Sequence, residues 1–243
     1  MKFSIIRLVV VIAALMSIPV AAQGALIAQY NFDGNSLANS ASASYSPLTV
    51  IGVPPDLSGN VYNSDGNNSN YLEVAPAVGG AATYTVSVWV WTDVADQGGF
   101  KGIFANADSP SDNNSWQMDS HNGVFRLVGK DSGADNFGAV IPGVWNNLIL
   151  TKEQPGDLGK LYLNGVLVNA DIGANPGGLQ EFRIGINRNS DNSFLGLIDN
   201  VQIWNTLEDP AAIYAAGHGI PEPATGALAL LALGALARRR RIA

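Results

Sequence analysis

Carboxylate and histidine side chains are the groups in this sequence that could carry acid–base or nucleophilic chemistry. Hydrolysis of a glycosidic bond needs two carboxylates held about 5–10 Å apart, which a strand supplies as alternate acidic residues on one face. A serine nucleophile would have to use His121 or His218, and no Gly-x-Ser-x-Gly elbow is present. The segment 23–220 holds only isolated glutamates, at Glu73, Glu153, Glu181 and Glu208. We therefore expect a protein that is not an enzyme.

Tryptophan side chains could instead bind a carbohydrate, because sugar rings present C–H faces that stack on an aromatic ring while amides and carboxylates bind the hydroxyls. We predict that Trp91 and Trp116 are exposed ligand-binding residues. Polar residues lie near them in the sequence, namely Asn113, Asn114, His121 and Arg126. The alternative is that these rings pack in the core, which we expect of Trp89, Trp145 and Trp204.

Composition narrows the classes of partner. Residues 23–220 keep seven of the 13 basic residues and 19 of the 20 acidic ones, a net charge of −12. Nucleic-acid binding needs basic side chains that neutralise phosphates, so we expect no nucleic-acid partner. There is no cysteine, which excludes disulfides and thiolate metal sites, and two histidines do not make a histidine-rich metal site. Clustered Asp oxygens suit Ca²⁺.

The first 22 residues have the pattern of a secretory signal peptide. Lys2 and Arg7 form a positive start, an apolar run follows over 8–18, and small residues near Ala22 offer cleavage sites. We expect export. The alternative is a buried first helix.

The last residues combine a proline-flanked glutamate, an apolar run and a basic end. The run 224–237 carries no charge, and as a helix it would measure about 21 Å, short of the roughly 30 Å of a bilayer core. Adjacent arginines cannot sit in a packed core. The motif is formed by Pro221, Glu222 and Pro223, and by Arg238, Arg239, Arg240 and Arg241.

This arrangement resembles the PEP-CTERM sorting signal of Gram-negative bacteria. The resemblance implies recognition by an exosortase-type membrane enzyme and cleavage near Pro-Glu-Pro. It also implies transient tethering to the inner membrane through a C-terminal hydrophobic helix, followed by delivery to the cell surface or extracellular matrix. The alternative is a simple tail anchor.

Short apolar runs separated by Gly, Asn, Asp, Ser and Pro predict an all-β domain of two packed sheets. The Asn164–Gly165 pair predicts a type I′ hairpin, and Asp209 followed by Pro210 predicts the start of a short helix within 207–216. The predicted strands are 26–32, 48–51, 71–74, 84–92, 102–106, 115–121, 124–128, 145–152, 160–163, 166–169, 182–186 and 195–204.

Five segments in order resemble a laminin-G-like or pentraxin-like jelly roll, the concanavalin A-like sandwich. They are QYNFDGN at 29–35, YTVSVWV at 84–90, WNNLILT at 145–151, GKLYLNG at 159–165 and FLGLIDNVQIWN at 194–205. The resemblance implies an antiparallel two-sheet jelly roll. It also implies a structural Ca²⁺ that joins the first turn to the last strand, with Asp33 and Asp199 as its ligands. The alternative is that Asp33 belongs to a turn and Asp199 caps a loop.

We accordingly divide the chain into a signal peptide (1–22), a jelly-roll domain (23–216), a linker with Pro-Glu-Pro (217–223) and a hydrophobic helix with the arginine tail (224–243). The expected function is carbohydrate or adhesive recognition at the envelope, with a polysaccharide or surface glycan as partner. Two alternatives are a structural matrix protein without a ligand and a glycoside hydrolase.

Overall fold

The computed structural model describes residues 26–41, 45–74, 82–106, 111–112, 114–129, 133–153, 158–174 and 176–217. The predicted signal peptide, the Pro-Glu-Pro motif and the hydrophobic tail lie outside these residues. Within the described part of the chain, no helix is both long enough and apolar enough to span a bilayer.

The described residues form two antiparallel sheets of seven strands each. In the first sheet the order is β1–β14–β5–β10–β11–β12, and β3 pairs with the first half of β14 beside β1. In the second sheet the order is β2–β4–β13–β6–β7–β8–β9. The strands are β1 (Leu26–Tyr30), β2 (Thr49–Ile51), β3 (Tyr62–Asp65), β4 (Tyr71–Val74), β5 (Tyr84–Trp91), β6 (Lys101–Asn106), β7 (Trp116–His121), β8 (Val124–Gly129), β9 (Ala134–Ala139), β10 (Asn146–Glu153), β11 (Leu158–Leu163), β12 (Val166–Asn169), β13 (Phe182–Ile184) and β14 (Leu195–Trp204).

The core lies between the two sheets and takes alternate residues from most of the strands, as the two-residue period of a strand requires. On β5 the residues Tyr84, Val86, Val88 and Val90 all join the core cluster. The predicted two-sheet sandwich is confirmed. All twelve predicted strands are present, with ends that differ by at most two residues.

Two local predictions are also confirmed. Asn164 and Gly165 have φ values of 53° and 75°, the left-handed conformation that a type I′ turn needs. Helix α1 (Pro210–Ala216) begins after Asp209, whose side chain accepts a hydrogen bond from the Ala211 N–H at 2.9 Å.

Strands β3 and β9 and a single 3-10 turn at Asp33–Asn35 were not predicted. The two strands read YNSD and ADNFGA, and they carry few of the β-branched and aromatic residues that mark a strand. They form because each pairs with a more apolar strand, β3 with β14 and β9 with β8.

Candidate functional site

The prediction that Trp116 is an exposed ligand-binding residue is wrong. Its side chain is 0 % exposed. Its ring stacks on Tyr84 with centroids 6.0 Å apart and on Phe104 at 5.3 Å. The reason is its position on β7, where Trp116 and Met118 point into the core and Gln117 points to the outer face.

Trp91 lies at the end of β5 and is half-buried on the outer face of the first sheet. It shares that face with Trp89, which is buried because its ring stacks on Tyr214 of α1 at 5.5 Å. The structure therefore does not bring Trp91 and Trp116 together, and the role of Trp91 stays a prediction. Trp204 is buried as expected, and Trp145 is half-buried.

An aromatic and charged cluster lies instead on the outer face of the second sheet, and we call it the Phe100 patch. It consists of Phe100, Gln117, Asp119, His121 and Arg126. Phe100 is 48 % exposed. The centroid of its ring lies 4.7 Å from the centroid of the His121 ring and 5.2 Å from the guanidinium carbon of Arg126.

The Phe100 backbone has a φ of 60°, in the left-handed region that a bulky residue rarely adopts. This conformation costs about 1–2 kcal/mol. The Phe100 N–H donates to His121 Nδ1 at 3.1 Å, which helps to hold it. Backbone strain of this kind is concentrated at functional sites, where it is retained at a cost in stability. Phe100 combines this strain with a half-exposed aromatic ring.

The carboxylate of the patch accepts hydrogen bonds at both of its oxygens. Asp119 is 0 % exposed, and Arg126 donates to its two carboxylate oxygens from Nε and Nη2, each at 2.9 Å. Gln117 Nε2 donates to the same carboxylate at 2.7 Å. Because both Asp119 oxygens accept charge-assisted hydrogen bonds from Arg126, this ion pair fixes the guanidinium beside the Phe100 ring.

The loop that carries Phe100, residues 92–100, is anchored at several points. The Gln97 side chain accepts from the Leu195 N–H at 2.8 Å and donates to the Leu195 carbonyl at 2.7 Å. The Gly98 carbonyl accepts from the Asn122 N–H at 3.0 Å, in the turn between β7 and β8. The patch is thus pre-organised, which lowers the entropic cost of binding a ligand.

Asp33 and Asp199, the predicted cation ligands, are close enough to influence each other. Asp199 is 1 % exposed at an irregularity in β14, whereas Asp33 is exposed in the 3-10 turn after β1. Burial raises the pKa of Asp199 to about 8, the Asp33 charge raises it as well, and the Asn200 N–H, which donates at 2.7 Å, opposes the increase.

Carboxylate oxygens are ligands that a hard cation prefers, and Asp33 and Asp199 supply them at this position. Non-glycine residues with positive φ are concentrated there: Phe32, Asn35 and Asn200 have φ of 52°, 60° and 42°. Among the described residues, no group of three or more His, Asp or Glu side chains is arranged to hold a metal. A cation would therefore need carbonyl or amide oxygens in addition to Asp33 and Asp199.

The sandwich architecture and the order of its motifs agree with a family comparison. The model of the concanavalin A-like lectin/glucanases superfamily, laminin-G type, matches residues 65–213. The chain belongs to this superfamily. The model of the PEP-CTERM protein-sorting motif matches residues 219–241, which confirms the sorting signal and implies export to the cell envelope.

Solved structures share the fold of this superfamily member at low identity. Domain 4 of AbnA, an extracellular arabinanase from Geobacillus stearothermophilus in complex with arabinotriose, is 22 % identical with a TM-score of 0.59, over 79 % of this chain and 98 % of that one. A structure of botulinum neurotoxin type C, a toxin whose cell entry depends on interaction with two ganglioside molecules, is 15 % identical with a TM-score of 0.61. The serotype D ligand-binding domain in complex with N-acetylneuraminic acid is 15 % identical with a TM-score of 0.58.

The matches to the two neurotoxin structures cover 82 % and 79 % of this chain, which spans about half of each neurotoxin structure, 52 % and 51 %. No curated protein sequence matches this chain.

Sequence reasoning named His121 and Arg126 only as polar residues near the tryptophans, together with Asn113 and Asn114. It missed Phe100, Gln117 and Asp119. Phe100 precedes β6 in a loop, and only the folded turn between β7 and β8 brings His121 against it. The alternation of polar residues along WQMDSH, with Gln117, Asp119 and His121 at every second position, was the signal that could have found the other members.

Proposed function

We propose that this protein is an exported, non-catalytic β-sandwich module that recognises a glycan through the Phe100 patch. The observation that carries the proposal is the ring of Phe100, held half-exposed in a strained conformation between His121 and Arg126. The ring offers a stacking surface for a sugar face, and the part-exposed Arg126 guanidinium beside it can donate to a hydroxyl.

Two structural neighbours support this proposal, since one was solved with arabinotriose and another with N-acetylneuraminic acid. Their identity to this chain is too low to transfer either ligand. The choice of recognition over catalysis rests on Asp119, the carboxylate of the patch. Arg126 and Gln117 already bind both of its oxygens, so it is poorly suited to act as the base or nucleophile of a glycosidase.

A glycan array probed with the purified protein, with and without Ca²⁺, tests the proposal. We expect binding to a defined group of glycans, without release of reducing sugar from the bound species. An array without hits would favour the structural matrix protein. Hydrolysis that is lost on substitution of an acidic residue would favour the glycoside hydrolase.

We further propose that Ca²⁺ binds between the 3-10 turn and β14, with Asp33 and Asp199 among its ligands. The bound cation would supply the positive charge that lets the buried Asp199 ionise beside Asp33. Asp33 and Asp199 would then join the first turn of the domain to its last long strand. Ca²⁺ should raise the melting temperature, and chelator should lower it, because a ligand of the native state stabilises that state.

We also propose that an exosortase-type enzyme processes the tail near Pro221–Glu222–Pro223 in a Gram-negative host, after transient tethering at the inner membrane by the segment 224–243. Helix α1 lies directly before this tail, and the Asn200 side chain donates to the Gly217 carbonyl at 3.2 Å. Intact mass spectrometry of the released protein would locate the cut. Release of the chain with its four tail arginines still attached would contradict processing.

A further inference from the structure

A cavity distinct from the Phe100 patch lies at the opposite edge of the sandwich from β9 and β12, where β2 and β4 of the second sheet face β3 of the first. We call it the edge cavity. Its volume is about 170 Å³. An engineered cavity of about 150 Å³ is known to hold benzene, so this volume fits one six-membered ring.

The floor of the edge cavity is apolar and aromatic. Tyr62 of β3 is 2 % exposed, and Tyr71 of β4 and Val50 of β2 are half-buried. The Arg183 guanidinium lies 5.6 Å from the Tyr71 ring centroid and donates to Glu73 at 3.2 Å, so this cation holds the tyrosine in place. Burial raises the pKa of Tyr62 to about 12, so its hydroxyl stays protonated in the folded protein at neutral pH.

The rim of the edge cavity is polar, with exposed Asp56, Asn63 and Asp65 and half-buried Asn70. Asp56 accepts from the Ser58 N–H at 2.8 Å, which lowers the pKa of its carboxyl. Asn70 Nδ2 donates to Asp65 at 2.8 Å, and the rim carboxylates keep lone pairs that can accept hydrogen bonds from hydroxyls. Two carboxylates at the rim disfavour an anionic guest.

The wall of the edge cavity is rigid, because the segment 53–56 is fixed at both ends. The Val53 N–H donates to Asn70 Oδ1 at 3.0 Å, and the Asn63 N–H donates to the Asp56 carbonyl at 3.0 Å. Pro54 and Pro55 restrict the backbone between these bonds. The cavity therefore exists before any ligand arrives, which reduces the cost of binding.

We propose that the edge cavity binds one uncharged sugar ring, a pentose or hexose unit, as a second glycan site separate from the Phe100 patch. The ring's C–H face lies on Tyr71, and its hydroxyls bond to the rim carboxylates and amides. A wider depression of about 440 Å³ shares Val50, Pro54, Pro55 and Asp56 with the cavity, so a longer glycan has room to continue along the edge.

The test uses the full chain labelled with ¹⁵N and titrated with methyl glycosides of glucose, galactose, mannose, xylose and arabinose, and with the methyl glycoside of glucuronic acid. A ligand of about a dozen non-hydrogen atoms with ordinary efficiency has a Kd on the order of 1 mM. We expect saturable shifts in residues 50–71 for at least one neutral glycoside, and at least about tenfold weaker binding of the glucuronide.

Three variants make the assignment specific. Val53→Trp places a large ring at a rim position that is 64 % exposed, so it should block the cavity without unfolding the domain. Tyr71→Leu keeps an apolar residue but removes the stacking face. Each should weaken neutral-glycoside binding at least about tenfold, while Asp56→Asn should narrow the gap between the glucuronide and the neutral sugars.

The matched control is Phe100→Asn, which alters the other site and should leave the shifts in residues 50–71 unchanged. No saturable shift in those residues up to about 50 mM of any neutral glycoside would overturn the proposal. So would shifts that survive Val53→Trp. Shifts confined to the neighbourhood of Phe100 would support the Phe100 patch and refute the edge cavity, so the two sites can fail separately.

Discussion

Replacement of Asp199 by asparagine should remove the pH dependence of stability that this buried carboxyl imposes on the metal-free protein. The pKa of Asp199 is raised to about 8 in the folded state, against about 3.9 for an aspartate in an unfolded chain. Between these values the folded protein holds a proton that the unfolded chain has released. The contribution of Asp199 to the free energy of unfolding is therefore largest below pH 4, falls as the pH rises to 8, and is constant above that.

The size of the effect follows from the two pKa values. A difference of about four pH units at about 1.36 kcal/mol per unit gives about 5 kcal/mol. That is a large share of the 5–15 kcal/mol by which a domain is usually stable. An asparagine side chain has nearly the same shape and carries no charge, so Asp199→Asn should be about 5 kcal/mol more stable than the wild type at pH 8 in chelator and about equal to it at pH 4.

The assay is urea unfolding of both proteins at pH 4, 6 and 8, with chelator and with millimolar Ca²⁺. The difference between the two proteins isolates Asp199 from other titrating groups. Ca²⁺ at 100 times its Kd should stabilise the wild type by about 2.7 kcal/mol and should stabilise the variant much less. A wild-type–variant difference in chelator that does not change between pH 4 and 8 would refute the reasoning.

Three further predictions concern the core, the tyrosines and the hairpin. Trp116→Ala should destabilise the protein by about 3–5 kcal/mol in chemical unfolding, and by clearly more than Trp91→Ala, because only Trp116 is fully buried; equal losses would contradict the assignment of Trp116 to the core. Burial raises the pKa of Tyr45 to about 12, as it does for Tyr62, so stability should fall between pH 10 and 12 by up to about 1.4 kcal/mol per pH unit for each tyrosine, and constant stability across this range would contradict their burial. Gly165→Ala should lower the melting temperature, since Gly165 has a φ of 75° and an added Cβ would lie 2.9 Å from Tyr214 Cβ; an unchanged value would contradict the tight turn.

The sheets were predictable from the sequence because their signals are local. The alternation along β5, the Asn164–Gly165 pair and the Asp209 cap each act within a few residues. Strands β3 and β9 were not predictable in the same way, because pairing with a neighbouring strand outweighs their polar composition.

The candidate sites were less predictable because they depend on contacts between distant segments. Phe100 meets His121 and Arg126 across 21 and 26 positions of sequence. Trp116 was assigned to the surface because the alternation along β7, which places it with Met118 on the apolar face, was not applied to it. The pairing of Asp33 with Asp199 came from a family resemblance, and the structure brings the two carboxylates near each other.

The central claim is that the Phe100 patch recognises a glycan, and titration calorimetry of the best array ligand against wild type and Phe100→Asn tests it most directly. Asparagine tolerates the left-handed backbone at position 100, so the variant should be at least as stable as the wild type. The account predicts a Kd at least about tenfold higher for the variant at an unchanged or higher melting temperature. Equal affinity of the two proteins, with both fully folded, would contradict it.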